Sequence, residues 1–341
     1  MKRTSIVVAA VVVVALIVGG VAAAMYIPKG SSSTTTPSTT TGAEAPIQIV
    51  AAENFWGSLV SQLAGVHGNV TSIVSDPNTD PHQYEANPAD AIAIANAQLV
   101  IINGMQYDTW ASLLINASNT PGQIVLDAQQ IVGLPNTPAT YANINPHLWY
   151  SPWYVNDTVH AMYKALVRIE PANEAYFEAN YASLNASLYQ SYMKAEDAMR
   201  AQYGGASSTV VQEVLRDYSG NVTIEATESI VQFFANATGL NIATPVGFMF
   251  AVAEGNDPSP ADIATMEHQL SAGNATIKCL EYNIQTVMPI TQTIKEIATQ
   301  YQIPFADVSE TVQPPTLTFQ AWQGGEVAQL QNCINSVELG N

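Results

Sequence analysis

Between Pro171 and Tyr203 the chain carries no glycine and no second proline, and this stretch constrains the fold more than any other. Its apolar residues Phe177, Tyr181, Leu184, Leu188, Tyr192, Ala195 and Met199 fall at steps of three and four, which makes one helical stripe. Pro171 suits a first helical turn, and Gly204-Gly205 would stop the helix. Unbroken, it would run about 50 Å at about 1.5 Å per residue. Such a length suits a connector better than one layer of a small domain.

Both flanks alternate between strand and helix patterns. Before the stretch, apolar strand-like runs at 47–51, 70–74, 99–102 and 124–126 are separated by helical patterns around Phe55, Leu59 and Leu63, at 88–97 and at 107–114. After it, strands are expected near 209–214, 277–282 and 304–308, with helices at 229–238, 260–270 and 289–301. Alternation of this kind predicts mainly parallel sheets covered on both faces. The expected fold class is therefore α/β, with two lobes, each a mainly parallel sheet flanked by helices, joined by one long rigid helix. The N-terminal lobe spans 47–170, the connecting helix 171–203 and the C-terminal lobe 204–341. No internal sequence repeat is visible.

Ahead of the lobes lies an uncharged apolar run from Ser5 to Ile27, preceded by Lys2 and Arg3. It approaches the ~20 residues needed to cross a bilayer and exceeds a secretory apolar core of about 7–15. Residues 1–29 thus read as an uncleaved membrane anchor with its N-terminus inside, a removed signal being the alternative. No cysteine follows the run, which excludes lipid attachment there. Residues 30–46 are nearly all Ser, Thr and Pro and read as a flexible stalk on the extracellular face. Sequons at Asn69, Asn116, Asn156, Asn185, Asn221, Asn236 and Asn274 agree with an outside location and glycosylation. The cysteines are Cys279 and Cys333, and export favours a disulfide between them.

With 10 Lys+Arg against 28 Asp+Glu the formal net charge is −18. This balance excludes nucleic acid as a partner, since phosphates need a basic footprint. It is compatible with a cation ligand, although a solvated acidic surface is the commoner reason for such a balance.

Five histidines are available. His67, in a glycine-flanked turn, His160, on a helical face, and His268, beside Glu267, read as ordinary surface or core residues. His82 differs, because it follows a strand in Asp80-Pro-His-Gln-Tyr-Glu85, and ligands gather beyond the carboxyl ends of strands in α/β sheets. Asp80 or Glu85 could orient its ring. His147 repeats the Pro-His step in Asn145-Pro-His-Leu-Trp-Tyr150. There is no His-Glu-x-x-His helix, no Cys-x-x-Cys pair, no nucleophile elbow and no phosphate-cradling glycine loop.

These segments, with Ala51-Ala-Glu-Asn-Phe-Trp-Gly57, Asn87-Pro-Ala-Asp90, Asn103-Gly, Tyr107-Asp-Thr-Trp110, Glu254-Gly-Asn-Asp-Pro-Ser-Pro-Ala-Asp262 and Val308-Ser-Glu-Thr311, run in one order along the chain. Taken together, the sequence resembles the zinc/manganese family of ABC-transporter solute-binding proteins. The resemblance implies two α/β lobes on a long helix and one Zn²⁺ or Mn²⁺ ion, the transported ligand, held between them. The ligands it implies are His82, His147, Glu228 opening a helix before Phe233-Phe234, and Glu310, with Asp307 as the rival fourth. It further implies a non-enzymatic, monomeric component that hands the ion to an ABC permease, and in some relatives adhesion. Glu228 in place of a histidine favours Mn²⁺. The absence of histidine from residues 133–145 departs from zinc-type members, whereas a Cys279–Cys333 bridge resembles them, so the metal stays open. A zinc hydrolase and a long-helix binding protein for a metal chelate or cobalamin are the rival readings.

Overall fold

Strand β1 (Ile47–Glu53) is buried on both faces apart from Gln48, as a strand between two helical layers must be. It lies in a computed structural model that describes residues 45–134, 145–203 and 222–336. Helix α1 (Asn54–Ala64) follows without a loop, and β2 (Gly68–Val74) returns parallel to β1, pairing Ile47 with Gly68. Gly57 allows α1 to approach β2, since a Cβ there would lie 2.0 Å from Ser72 Oγ. Helix α2 (Pro88–Asn96) starts at a capping box of Asn87 and Asp90 with Pro88 in its first turn. Strand β3 (Leu99–Ile102), α3 (Thr109–Ser118), β4 (Ile124–Asp127), the short α4 (Ala128–Ile131) and α5 (Pro152–Ile169) complete the first lobe. Its sheet is wholly parallel, in the order β2-β1-β3-β4.

The long helix is present but not uniform. A 3₁₀ turn at Pro171–Asn173 leads into α6 (Glu174–Leu188), then a π turn at Tyr189–Met193, then α7 (Lys194–Tyr203). The expected stripe is buried at Phe177, Leu184, Leu188, Tyr192 and Met199. Periodicity in sequence registers the stripe but not a one-residue widening of the turn.

The second lobe comprises β5 (Val222–Ala226), α8 (Gln232–Thr238), β6 (Leu240–Ile242), α9 (Val246–Ala253), α10 (Pro260–Ser271), β7 (Ile277–Asn283), α11 (Pro289–Gln300), β8 (Phe305–Val308) and α12 (Phe319–Ser336). Its parallel sheet is ordered β6-β5-β7-β8, the topology of the first lobe repeated. Helix α8 begins three residues later than the expected 229, which corrects the reading of Glu228 as a helix-opening residue. The cause is a tie to β7: Thr227 N–H donates to Glu281 O at 3.0 Å and Asn283 N–H to Thr227 Oγ1 at 3.0 Å, and residues 227–231 bend and turn before the helix starts. The strand expected at 209–214, the glycine stop at 204–205, and the anchor and stalk up to residue 44 lie outside the described residues. Among the described residues no helix is long and apolar enough to cross a membrane.

One continuous core joins the lobes. It runs from Phe55 and Trp149 through Leu184 and Tyr192 of the connecting helix to Phe234, Trp322 and Leu330. Gly324 of α12 seats against the π turn, where a Cβ would stand 2.8 Å from Ser191 O. Cys279 of β7 and Cys333 of α12 form a disulfide with Cα atoms 5.6 Å apart, closing a separation of 54 residues. Loop-closure entropy for that span gives about 4 kcal/mol. A C279A/C333A variant should therefore unfold at a lower denaturant midpoint by that free energy, and reductant should have no further effect on it. An unchanged midpoint would mean the bridge is thermodynamically idle.

Candidate metal centre

Three of the four ligand candidates lie beyond the carboxyl end of a strand. His82 lies in the turn Pro81–Gln83 beyond β2, Glu228 two residues beyond β5, and Glu310 two residues beyond β8. His147 precedes the 3₁₀ turn Leu148–Tyr150 that leads into α5. The fold brings one ligand-type atom from each of them within 4.8 Å of the others, and this is the one such group among the described residues. His82 Nε2 stands 3.5 Å from Glu228 Oε1 and 3.2 Å from Glu310 Oε2; His147 Nε2 stands 3.3 and 3.6 Å from the same atoms. Four donors set tetrahedrally around a zinc ion at about 2.0–2.2 Å would be about 3.3–3.6 Å apart.

Burial sharpens the point. The side chains of His147, Glu228 and Glu310 are wholly buried and that of His82 is 13% exposed. Both Nε2 atoms and Glu228 Oε1 are buried without a hydrogen-bond partner. Buried polar atoms are normally satisfied, and three orphans aimed at one point form a pocket of donors suited to a cation. Two carboxylates and two neutral imidazoles would balance a divalent cation.

The surrounding bonds fix the donors. Asn145 Oδ1 lies 2.6 Å from His147 Nδ1 and accepts the His147 backbone N–H at 2.9 Å. A proton on Nδ1 leaves Nε2 as the free lone pair facing the acids. The Asn145 amide also donates to Ser229 O of the other lobe at 2.6 Å. Tyr107 O–H donates to Glu310 Oε2 at 2.8 Å, and its ring stands edge-on to His82 at 4.9 Å. The two histidine rings are 5.5 Å apart. Gln285 spans the lobes: its Oε1 accepts the Glu310 N–H at 2.7 Å, while its Nε2 donates to Pro77 O at 3.1 Å in the loop leading to His82.

Charge follows the same geometry. Burial alone would lower the imidazole of His82, but the Glu310 charge, supported by Glu228, outweighs it and holds His82 well above the usual histidine range. Burial is likewise outweighed at His147, which Glu228 and Glu310 hold above its ordinary value. Burial pushes Glu310 up, yet His82 and His147 keep it well below the carboxylate range, and Glu228 is lowered against burial by the same two rings.

Other expected residues fall elsewhere. Asp307 sits on β8 with its Oδ1 2.9 Å from Lys295 Nζ, apart from the cluster that Glu310 joins. Asp80 accepts the backbone N–H of His82 at 3.0 Å and the amide of Gln83, so it shapes the turn and does not bind the ring. Glu85 is exposed. His67 pairs with Glu170, His160 with Tyr181, and His268 is exposed on α10. The ring-orienting role expected of Asp80 or Glu85 is taken on the second histidine by Asn145, a residue two positions before it.

A family model described as the periplasmic zinc-uptake complex component A matches residues 49–333. The chain belongs to the zinc-uptake complex component A family. Among relatives of this family member is the iron-binding protein YfeA of Yersinia pestis, 30% identical over 38% of this chain and 40% of its own length. The metal ABC transporter substrate-binding lipoprotein FimA of Streptococcus parasanguinis is 23% identical over 67% of this chain and 70% of its own. The chain thus spans less than half the length of the first relative and about two thirds of the second. In fold it resembles the solute-binding protein FpvC of Pseudomonas aeruginosa, solved with Mn²⁺, at a TM-score of 0.64 and 19% identity over 85% of this chain and 99% of that one.

Proposed function

We propose that this family member captures a divalent transition-metal ion, Zn²⁺ or Mn²⁺, through His82, His147, Glu228 and Glu310, and delivers it to an ABC permease at the outer face of the cell membrane. The observation that carries the reading is the convergence of four buried donor groups, one pair from each lobe, with three of their facing atoms unsatisfied. The functions these relatives are named for, iron binding and metal ABC transport, support a metal cargo and a permease partner. The apolar run at residues 5–27 would hold the protein at the membrane. Four protein donors fill a zinc ion's shell, which leaves no open position for the activated water of a hydrolase.

Metal analysis of the purified protein followed by calorimetric competition between Zn²⁺ and Mn²⁺ tests the reading. His147→Ala should weaken binding by more than about 100-fold, the upper end of what losing an outer-shell partner costs. Asp307→Asn should leave affinity unchanged, since Asp307 is engaged with Lys295. Equal affinity of wild type and His147→Ala would remove the assignment.

A further inference from the structure

The two glutamates of the cluster do not offer all their oxygens equally. Asn283, wholly buried at the end of β7, donates its side-chain amide to Glu228 Oε2 at 2.5 Å and to Glu310 Oε1 at 2.8 Å. Thr286 Oγ1 donates to the same Glu310 oxygen at 2.9 Å. The amide's orientation is set by its other end, because Asn283 Oδ1 accepts the Gln285 backbone N–H at 2.9 Å and leaves the NH₂ group for the acids. The opposite oxygens, Glu228 Oε1 and Glu310 Oε2, are those that face the two imidazoles.

Resting on the capture reading above, we propose that Asn283 is a positioning residue that limits each glutamate to one oxygen, holds the ion at four ligands and so selects zinc over manganese. Zinc in closed sites is tetrahedral, whereas manganese takes octahedral, oxygen-rich shells. A fifth and sixth ligand would have to come from the second carboxylate oxygens or from water. Asn283 and Thr286 hold those second oxygens turned away from the imidazoles, whereas Glu310 Oε2 accepts from Tyr107 O–H at 2.8 Å on the imidazole side, and burial of His147, Glu228 and Glu310 restricts water to the side of His82. One buried amide, reaching both acids and also Thr286 Oγ1 at 3.0 Å, thereby sets the denticity of both.

Cobalt(II) tests this on the full chain, because four-coordinate Co²⁺ absorbs visible light much more strongly than five- or six-coordinate Co²⁺. The wild type loaded with Co²⁺ should show the intense four-coordinate bands, and Asn283→Ala should weaken them at saturating metal. In competition titrations the ratio of the Mn²⁺ to the Zn²⁺ dissociation constant should fall about tenfold in Asn283→Ala, the worth of one added contact to a charged oxygen. Thr286→Val, which frees only Glu310 Oε1 of one donor, should move both readouts the same way by less, and it serves if Asn283→Ala does not fold. A weak, six-coordinate Co²⁺ spectrum in the wild type, or unchanged spectra and ratios in the folded variants, would overturn the proposal while leaving metal capture standing. A wild type that takes up none of the three ions would overturn the capture reading and this proposal together.

Discussion

The metal-free protein should be most stable near pH 4–5 and should lose several kcal/mol of stability between there and pH 8. The chain buries carboxyl groups without bases to pair them. Burial pushes Glu225 up to about 7, with only the Thr244 hydroxyl pulling it back. Burial takes Asp108 to about 7 despite backbone N–H donors from Asn103 and Gly104. Glu326 likewise reaches about 7 through burial, against donors from Tyr150, Ser309 and Trp322. Burial also raises Glu53, Glu196 and Glu281 well above the carboxylate range. Oxygens of Glu53, Glu196, Glu225 and Glu281 are buried without hydrogen-bond partners, which a carboxylic acid tolerates and a carboxylate does not.

A group whose folded pKa is raised binds its proton more tightly in the folded state. Its stabilisation is complete below the unfolded value near 4 and is lost as pH rises through the folded value. For Glu225, Asp108 and Glu326 the window is about pH 4–7, at about 3 kcal/mol each. The raised histidines His82 and His147 act in the same direction, losing their contribution above the ordinary histidine range. Only Glu228 and Glu310, which are lowered, oppose this, and their loss falls below the ordinary carboxylate value. Thermal melts in chelator should give a midpoint more than about 10 °C lower at pH 8 than at pH 5. A midpoint that holds level or rises over that range would show that these acids are ionised in the folded protein.

Metal affinity should run the other way. An imidazole must lose its proton to ligate, and both rings here hold protons more tightly than an ordinary histidine. Below their shared titration range each pH unit should weaken binding by up to about 100-fold, about 1.36 kcal/mol per histidine. The weakening should begin above about pH 6.5, the unperturbed value. Competition against a chelator of known proton affinity from pH 5 to 8 measures this. Constant affinity over that span would sink ligation by two histidines. A fold most stable in acid and a site that loads near neutrality meet in a narrow interval. Within it a bound ion adds about 4 kcal/mol of stability at a thousandfold excess over its dissociation constant.

Much of the architecture was legible because it rests on local patterns. The stripe from Phe177 to Met199 marked the long helix, and the alternation on either side marked two parallel α/β lobes. Strands at 47–51, 99–102 and 277–282 appear within β1, β3 and β7. What escaped was context-dependent. Strand β5 is a five-residue segment with a buried Glu225 beside its last residue, which reads as neither strand face, and α12 has no clean apolar stripe. The late start of α8 depends on Thr227 bonding to β7, more than fifty residues away.

At the centre, two Pro-His steps and the family's motif order nominate His82, His147, Glu228 and Glu310 from the sequence. Tertiary structure alone separated Glu310 from Asp307, three residues apart on one strand and its exit, because only the fold shows which carboxylate meets the imidazoles and which meets Lys295. It alone exposed Asn283, Tyr107 and Asn145 as the groups that hydrogen-bond the clustered side chains. Sequence reports periodicity and residue chemistry, which act over a few positions. Which oxygen of a buried glutamate stays free depends on a donor that reaches it through space, and no pattern along the chain encodes that contact.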